Sequence, residues 1–147
     1  GVWWGGAEPF QISGMGAGNG QIRNIEFSNN DAESEHGALL WTDARFSISD
    51  VRLDRCRIHL KNSRHAATLG GYFDLRPRSV ERDIPSGYFK HAIPGIYAQR
   101  IAGLSIRDCR VRLPEDPAPY FSAGIHTAAC PGAELENNDI PSLRQNE

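Results

Sequence analysis

The sequence predicts an all-β solenoid, and two observations carry that expectation. Four rows, Ile22 to Ala32, Ile48 to Ile58, Ile101 to Val111 and Cys130 to Ile140, superpose without a gap, and self-similarity on this scale marks a stack of like units. Sustained 3.6-residue periodicity is missing, whereas short β-branched runs bounded by Gly, Asn, Asp and Pro recur along the chain. An α-helical fold is thereby excluded.

Each row reads as a strand followed by a turn. One column holds Ile22, Ile48, Ile101 and Cys130, and the next holds Ile25, Val51, Leu104 and Ala133. Two more are equally apolar: Phe27, Leu53, Ile106 and Leu135, then Ala32, Ile58, Val111 and Ile140. Between them stand Glu26, Arg52, Ser105 and Glu134, then Ser28, Asp54, Arg107 and Glu136, so inward apolar residues alternate with outward polar ones. The column Asn30, Cys56, Cys109 and Asn138 suits either a tight bend or a small internal slot.

The rows start 26, 53 and 29 residues apart. The two short spacings fit one coil of a β-helix. The long one contains an excursion over residues 61–94 that nowhere repeats the four apolar columns, which predicts one coil with a long loop rather than two coils. A second strand per coil is expected at Gly37-Ala38-Leu39-Leu40, Gly95-Ile96-Tyr97-Ala98 and Gly124-Ile125-His126-Thr127, and strands stacked in this way form parallel sheets. Residues 1–147 are expected to form a single domain of about four coils, with an irregular segment or cap at 1–19, coils at 20–140 and a tail at 141–147. An open coil exposes apolar surface and unpaired strand edges. Either upstream coils or self-association is therefore expected at the N-terminal end, or Trp3 and Trp4 fold over it as a plug.

Composition narrows the partners. The 147 residues are 39% hydrophobic and 23% charged with net charge -2, and 14 Arg and 2 Lys are balanced by 9 Asp and 9 Glu. Such a balance gives no general field for nucleic acid or an anionic membrane, so neither partner is expected. No uncharged apolar stretch approaches the roughly 20 residues of a membrane span. Three cysteines without Cys-x-x-Cys or Cys/His spacing predict no structural metal, and no motif calls for a cofactor. If Cys56 and Cys109 lie on adjacent coils they stand about 4.8 Å apart, which permits a disulfide, but the Asn residues elsewhere in that column favour an unbonded ladder.

The rows ending in Asp54-Arg55-Cys56-Arg57-Ile58 and Asp108-Cys109-Arg110-Val111, the segment Pro94-Gly95-Ile96-Tyr97, and Asp74-Leu75-Arg76-Pro77 together carry a likeness. From about Gly20 to Ile140 the chain resembles the right-handed parallel β-helices of the pectin-lyase-like superfamily, and among them the polygalacturonase-like proteins of glycoside hydrolase family 28. The resemblance implies glycoside cleavage by Asp residues on neighbouring coils, one as general acid and one as base. It also implies a His in a Gly-His-Gly turn, a basic Arg-Ile-Lys strand one coil later, and an extracellular or periplasmic protein. Glu35-His36-Gly37 resembles the His region, and Arg57-Ile58-His59-Leu60-Lys61 resembles the basic strand with substitutions. The coil that would carry the paired Asp residues reads Ser13-Gly14-Met15-Gly16 and holds no carboxylate, so the family's acid is missing from this chain.

Candidate site residues follow. His36 and His126 are the candidates for acid or base, with His126 equally readable as a surface histidine. Asp74 and Arg76, flanked by Tyr72, Phe73 and Pro77, either contact a sugar or anchor the loop by a salt bridge. Tyr97 and His126 fall in one outward column, with Leu39 at the matching place two coils earlier, and Tyr120 lies in the Pro-rich loop leading to the last of these strands. Tyr72, Asp74, Arg76, Tyr97 and Tyr120 are thus the expected substrate-binding set. Arg57, His59, Arg110 and Arg112 form either a basic stripe for an anionic polysaccharide or a set of ion pairs with Asp54, Asp108 and Glu115. The expected function is a carbohydrate-active β-helix, part of a polygalacturonase-like hydrolase acting on polysaccharide or oligosaccharide, acidic ones included. The alternative is a non-catalytic glycan-binding or structural module, and a polysaccharide lyase ranks third.

Overall fold

The computed structural model describes residues 8–14, 19–64, 71–74, 88–122 and 124–141, the side chains of Asp74, Tyr88 and Phe89 excepted. Among the described residues every regular element is a strand. A first tier comprises β1 (Gln11–Gly14), β2 (Gly20–Ser28) and β3 (Asp31–Ser34), and a second comprises β4 (Ala38–Thr42), β5 (Phe46–Asp54) and β6 (Arg57–Leu60). A hairpin of β7 (Tyr72–Asp74) and β8 (Tyr88–Lys90) intervenes. The third tier is β9 (Ile96–Gln99), β10 (Ile101–Arg107) and β11 (Arg110–Arg112), and the fourth is β12 (Ile125–Ala128) and β13 (Glu134–Glu136). The chain visits three parallel sheets in rotation: β1-β4-β9-β12, β2-β5-β10-β13 and β3-β6-β11. Among the described residues only the hairpin is antiparallel.

The register is the one the apolar columns demand. Ile22, Ile48 and Ile101 are partners, as are Ile25, Val51 and Leu104, and Phe27, Leu53, Ile106 and Leu135. Ala32, Ile58 and Val111 continue the fourth column. In a period-two strand a slip of one residue would turn each of these side chains outward, so the hydrophobic pattern fixes the pairing. Burial is graded along the stack. Leu53, Ile58, Ile101, Ile106 and Val111 are at most 1% exposed, Ile22, Ile25 and Phe27 of the first tier are half-buried, and Leu135 of the fourth is 46% exposed.

Because β5 pairs directly with β10, the 53-residue spacing is one tier with an excursion, as the missing columns predict. Leu39 is consequently the immediate neighbour of Tyr97, which in turn pairs with His126, so Leu39 stands two tiers before His126. The segment expected to be irregular at 1–19 contains β1, which pairs with β4. Its four residues, Gln11-Ile12-Ser13-Gly14, hold a single apolar side chain, too few for alternation to show. Trp3 and Trp4 lie outside the described residues.

The bend falls one residue before the Asn/Cys column. Asn29, Arg55, Asp108 and Asn137 take φ of 57°, 53°, 54° and 54°, while the next residue turns into the interior slot. There the polar column ties successive tiers together. The Cys56 thiol donates to the Phe27 carbonyl at 3.3 Å, Cys109 to Leu53 at 3.6 Å, and the Asn138 amide to Ile106 at 2.9 Å. Phe27, Leu53 and Ile106 are themselves one column, so each donor reaches the carbonyl one tier back. All three cysteines are free, and the hydrogen bond between the Cys109 and Cys56 thiols together with burial pushes the Cys109 thiol well up. A second ladder of positive φ, Asn24, Asp50, Gly103 and Gly132 at 59°, 54°, 65° and 67°, recurs within the β2, β5 and β10 rows and just before β13. The sequence held that signal as an Asn, Asp, Gly, Gly column.

Candidate functional site

Within the described part of the excursion, Phe73 and His91 lie over the outer face of the first sheet. Phe73, fully buried on β7, packs edge-on to Tyr97 with ring centroids 4.8 Å apart and stacks on His91 at 4.4 Å. Tyr97 in turn stacks on His126 at 5.1 Å and on Trp41 at 6.1 Å. His91 completes the group, 5.1 Å from Tyr97 and 5.9 Å from His126. The shared column of Tyr97 and His126 is therefore real, but its two members differ in access. Tyr97 is 5% exposed beneath Phe73 and His91, with its hydroxyl donating to Gln99 Oε1 at 2.7 Å, while His126 faces solvent. Tyr72 is half-buried on β7. Tyr120 stands apart, tilted against Phe121 with its hydroxyl accepting the Ser63 N–H at 2.9 Å, and so clamps the foot of the excursion. Arg76 and the side chain of Asp74 lie outside the described residues.

His36 joins this ring cluster to a second feature. Its ring meets Phe73 edge-on at 5.3 Å, Nδ1 donates to the Gly37 carbonyl at 2.9 Å, and Glu8 Oε1 is 3.9 Å from the same nitrogen. On the Glu8 side opens a cleft of about 530 Å³ lined by Glu8, Pro9, Glu33, Ser34, Glu35, Lys61, Asn62 and Arg64. Strand β3 and the turn after it supply Glu33 to Glu35, and the residues leaving β6 supply Lys61 to Arg64. Pairing of Ser34 with Leu60 sets the two segments side by side.

Electrostatics of the cleft are those of paired, ionised groups. Lys61 hydrogen-bonds Glu33 and holds its carboxyl below the ordinary range. Partial burial raises Glu35, but hydrogen bonds from Arg64 at 3.1 Å and Ser63 at 3.2 Å outweigh it and leave that carboxyl lowered too. Neither group is a proton donor near neutral pH. A lowered carboxylate stabilises the fold above its unfolded pKa, and this contribution is lost as pH falls through the lowered value. Asn62 is spanned by the 115–118 loop, its amide donating to the Asp116 carbonyl and its oxygen accepting the Ala118 N–H.

Of the residues expected from sequence, His36, Tyr97 and His126 border one continuous set of rings, and Tyr72 flanks it. Glu8, Glu33 and Arg64 escaped notice because they share no column of the repeat and come together only as β1, β3 and β6 stack. The three arginines of the basic stripe are in ion pairs, with Asp31 and Asp139 in place of the expected Asp54, Asp108 and Glu115. Arg57 meets Asp31 at 3.0 Å, and Arg110 and Arg112 meet Asp139 at 3.3 and 2.7 Å. Among the described residues no group of three or more His, Cys, Asp or Glu gathers to hold a metal. No family model, curated protein or solved structure matches the chain.

Proposed function

We propose that the chain is a carbohydrate-binding, right-handed parallel β-helix of about four coils, similar to the polygalacturonase-like proteins and acting outside the cytoplasm, with the Glu8–Arg64 cleft as its glycan site. Supporting the closed helix are the rotation of the chain through three parallel sheets and the interior ladder that links each tier to the one before. The observation that carries the site is the cleft lining, in which carboxylate, amide, ammonium and guanidinium groups converge beside His36. Carboxylate, amide and guanidinium groups hydrogen-bond sugar hydroxyls in pairs.

Charge chooses among sugars. Three carboxylates against two cations leave the cleft net acidic, so a neutral, hydroxyl-rich oligosaccharide fits it better than a polyuronate. The low proton affinity of Glu33 and Glu35 favours binding over hydrolysis, because glycoside cleavage needs one carboxylic acid kept protonated. An array of neutral oligosaccharides with oligogalacturonate alongside, followed by titration calorimetry of the best ligand, tests this reading. Lys61→Ala and Arg64→Ala, both at exposed side chains, are expected to weaken binding at least tenfold each, about 1.4 kcal/mol, with the melting temperature moved by only a few degrees. Preferred binding of oligogalacturonate, or affinity unchanged in both variants, contradicts it. Release of reducing ends by the wild type would favour the hydrolase instead.

A further inference from the structure

The fourth tier leaves its apolar columns open while its charges are set for one kind of neighbour. Leu135 and Ile140, inward residues of their columns, are 46% and 42% exposed. Their counterparts in the third tier, Ile106 and Val111, are fully buried. At the other end of the stack Phe10 lies on Phe27 at 4.4 Å and Ile22, Ile25 and Phe27 are half-buried, so among the described residues the exposed large apolar side chains are those of the fourth tier. Among the described residues no strand pairs with the outer side of β12 or β13, and an unpaired parallel edge offers its N–H and C=O groups to another strand.

Outward charges on this tier are all acidic. Glu134 and Glu136 reach back to Arg107 at 2.6 and 3.5 Å, and Asp139 to Arg112 and Arg110. Each carboxylate is more than half exposed, and Asp139 already accommodates two guanidinium groups. A second copy of the chain does not suit this edge, because its first tier carries Glu26 in the column of Glu134 and Asp31 in that of Asp139. Stacking the copies would set like charges directly opposite one another, which destabilises a strand pair.

We propose that the outer edge of the fourth tier is a docking edge for a partner β-strand carrying arginine or lysine at its outward positions and aliphatic residues at its inward ones. Pairing in the existing register would cover Leu135 and Ile140 and bring the partner's cations against Glu134, Glu136 and Asp139, a strand addition in which backbone bonds give affinity and alternate side chains give specificity. The chain's own residues 101–113 already meet this tier in that manner from the other side, through Ser105–Glu134 and Arg107–Glu136. A fluorescein-labelled peptide of residues 101–113 with Cys109→Asn is therefore the probe, titrated by fluorescence anisotropy against the full chain. Saturable binding is expected, weakened at least tenfold when Arg107, Arg110 and Arg112 of the peptide are replaced by Glu, a comparison that leaves the protein itself unaltered. Leu135→Asp in the protein, at an exposed side chain, is expected to weaken it by a similar factor. Absence of binding by the basic peptide, equal affinity for both peptides, or head-to-tail association of the protein alone at neutral pH overturns the proposal.

Discussion

Leu53→Asp and Ile106→Asp are each expected to destabilise the chain by about 4 kcal/mol or more, enough to abolish cooperative folding in a domain of ordinary stability. Both side chains are fully buried, they are direct partners on β5 and β10, and both belong to the column that carries the interior hydrogen bonds from Cys109 and Asn138. A carboxylate at either place has no cation within the stack to meet it. The same change at Leu135, in the same column, should cost little by comparison because that side chain is nearly half exposed. Chemical denaturation followed by circular dichroism checks all three, and equal effects at Leu53 and Leu135 would contradict the graded burial.

The second large effect is expected at a glycine. Gly37, Gly95 and Gly124 open β4, β9 and β12, and the Ala38 N–H is bonded to the Gly95 carbonyl at 2.8 Å and the Ile96 N–H to that of Gly124 at 2.9 Å. A Cβ at Gly37 would lie far inside the van der Waals contact distance of the Pro94 carbonyl oxygen and 2.6 Å from that of Gly95. Those atoms are backbone and held by the ladder, so no rotamer change relieves the clash. Gly37→Ala is expected to cost about 3 kcal/mol or more, at or beyond the upper end for overpacking. Gly132→Ala serves as the contrast. Its φ is +67° but nothing lies within 4 Å of the added carbon, so only the backbone penalty of about 1 kcal/mol applies. Thermal melts that rank Gly132→Ala as the more damaging would overturn the close approach.

Much of the fold was legible because its determinant is periodic. Each inward column repeats the same physical requirement once per tier, so Ile22, Ile48 and Ile101 align in the sequence before they align in space. The Gly37, Gly95 and Gly124 series was visible for the same reason, although its cause was not. That cause lies in the distance to the next tier's carbonyl oxygens and to Val111 and Ile140. What lay outside the repeat was not legible. Whether Tyr97 faced solvent depended on where Phe73 and His91 came to rest, and both belong to an excursion with no periodic counterpart. The cleft depended on Glu8 and Arg64, far apart in the chain and joined only by the way β1, β3 and β6 are stacked.

Successive rows are immediate neighbours in parallel register, with no tier between Leu53 and Ile106. Methyl-to-methyl nuclear Overhauser contacts in a sample labelled at Ile, Leu and Val methyl groups check this pairing. Parallel neighbours lie about 4.8 Å apart, so contacts are expected between Ile48 and Ile101, Val51 and Leu104, Leu53 and Ile106, and Ile58 and Val111. Contacts from Leu53 and Ile58 to Leu75, Val80 or Ile84 in place of Ile106 and Val111 would insert a tier between the rows and contradict the stack.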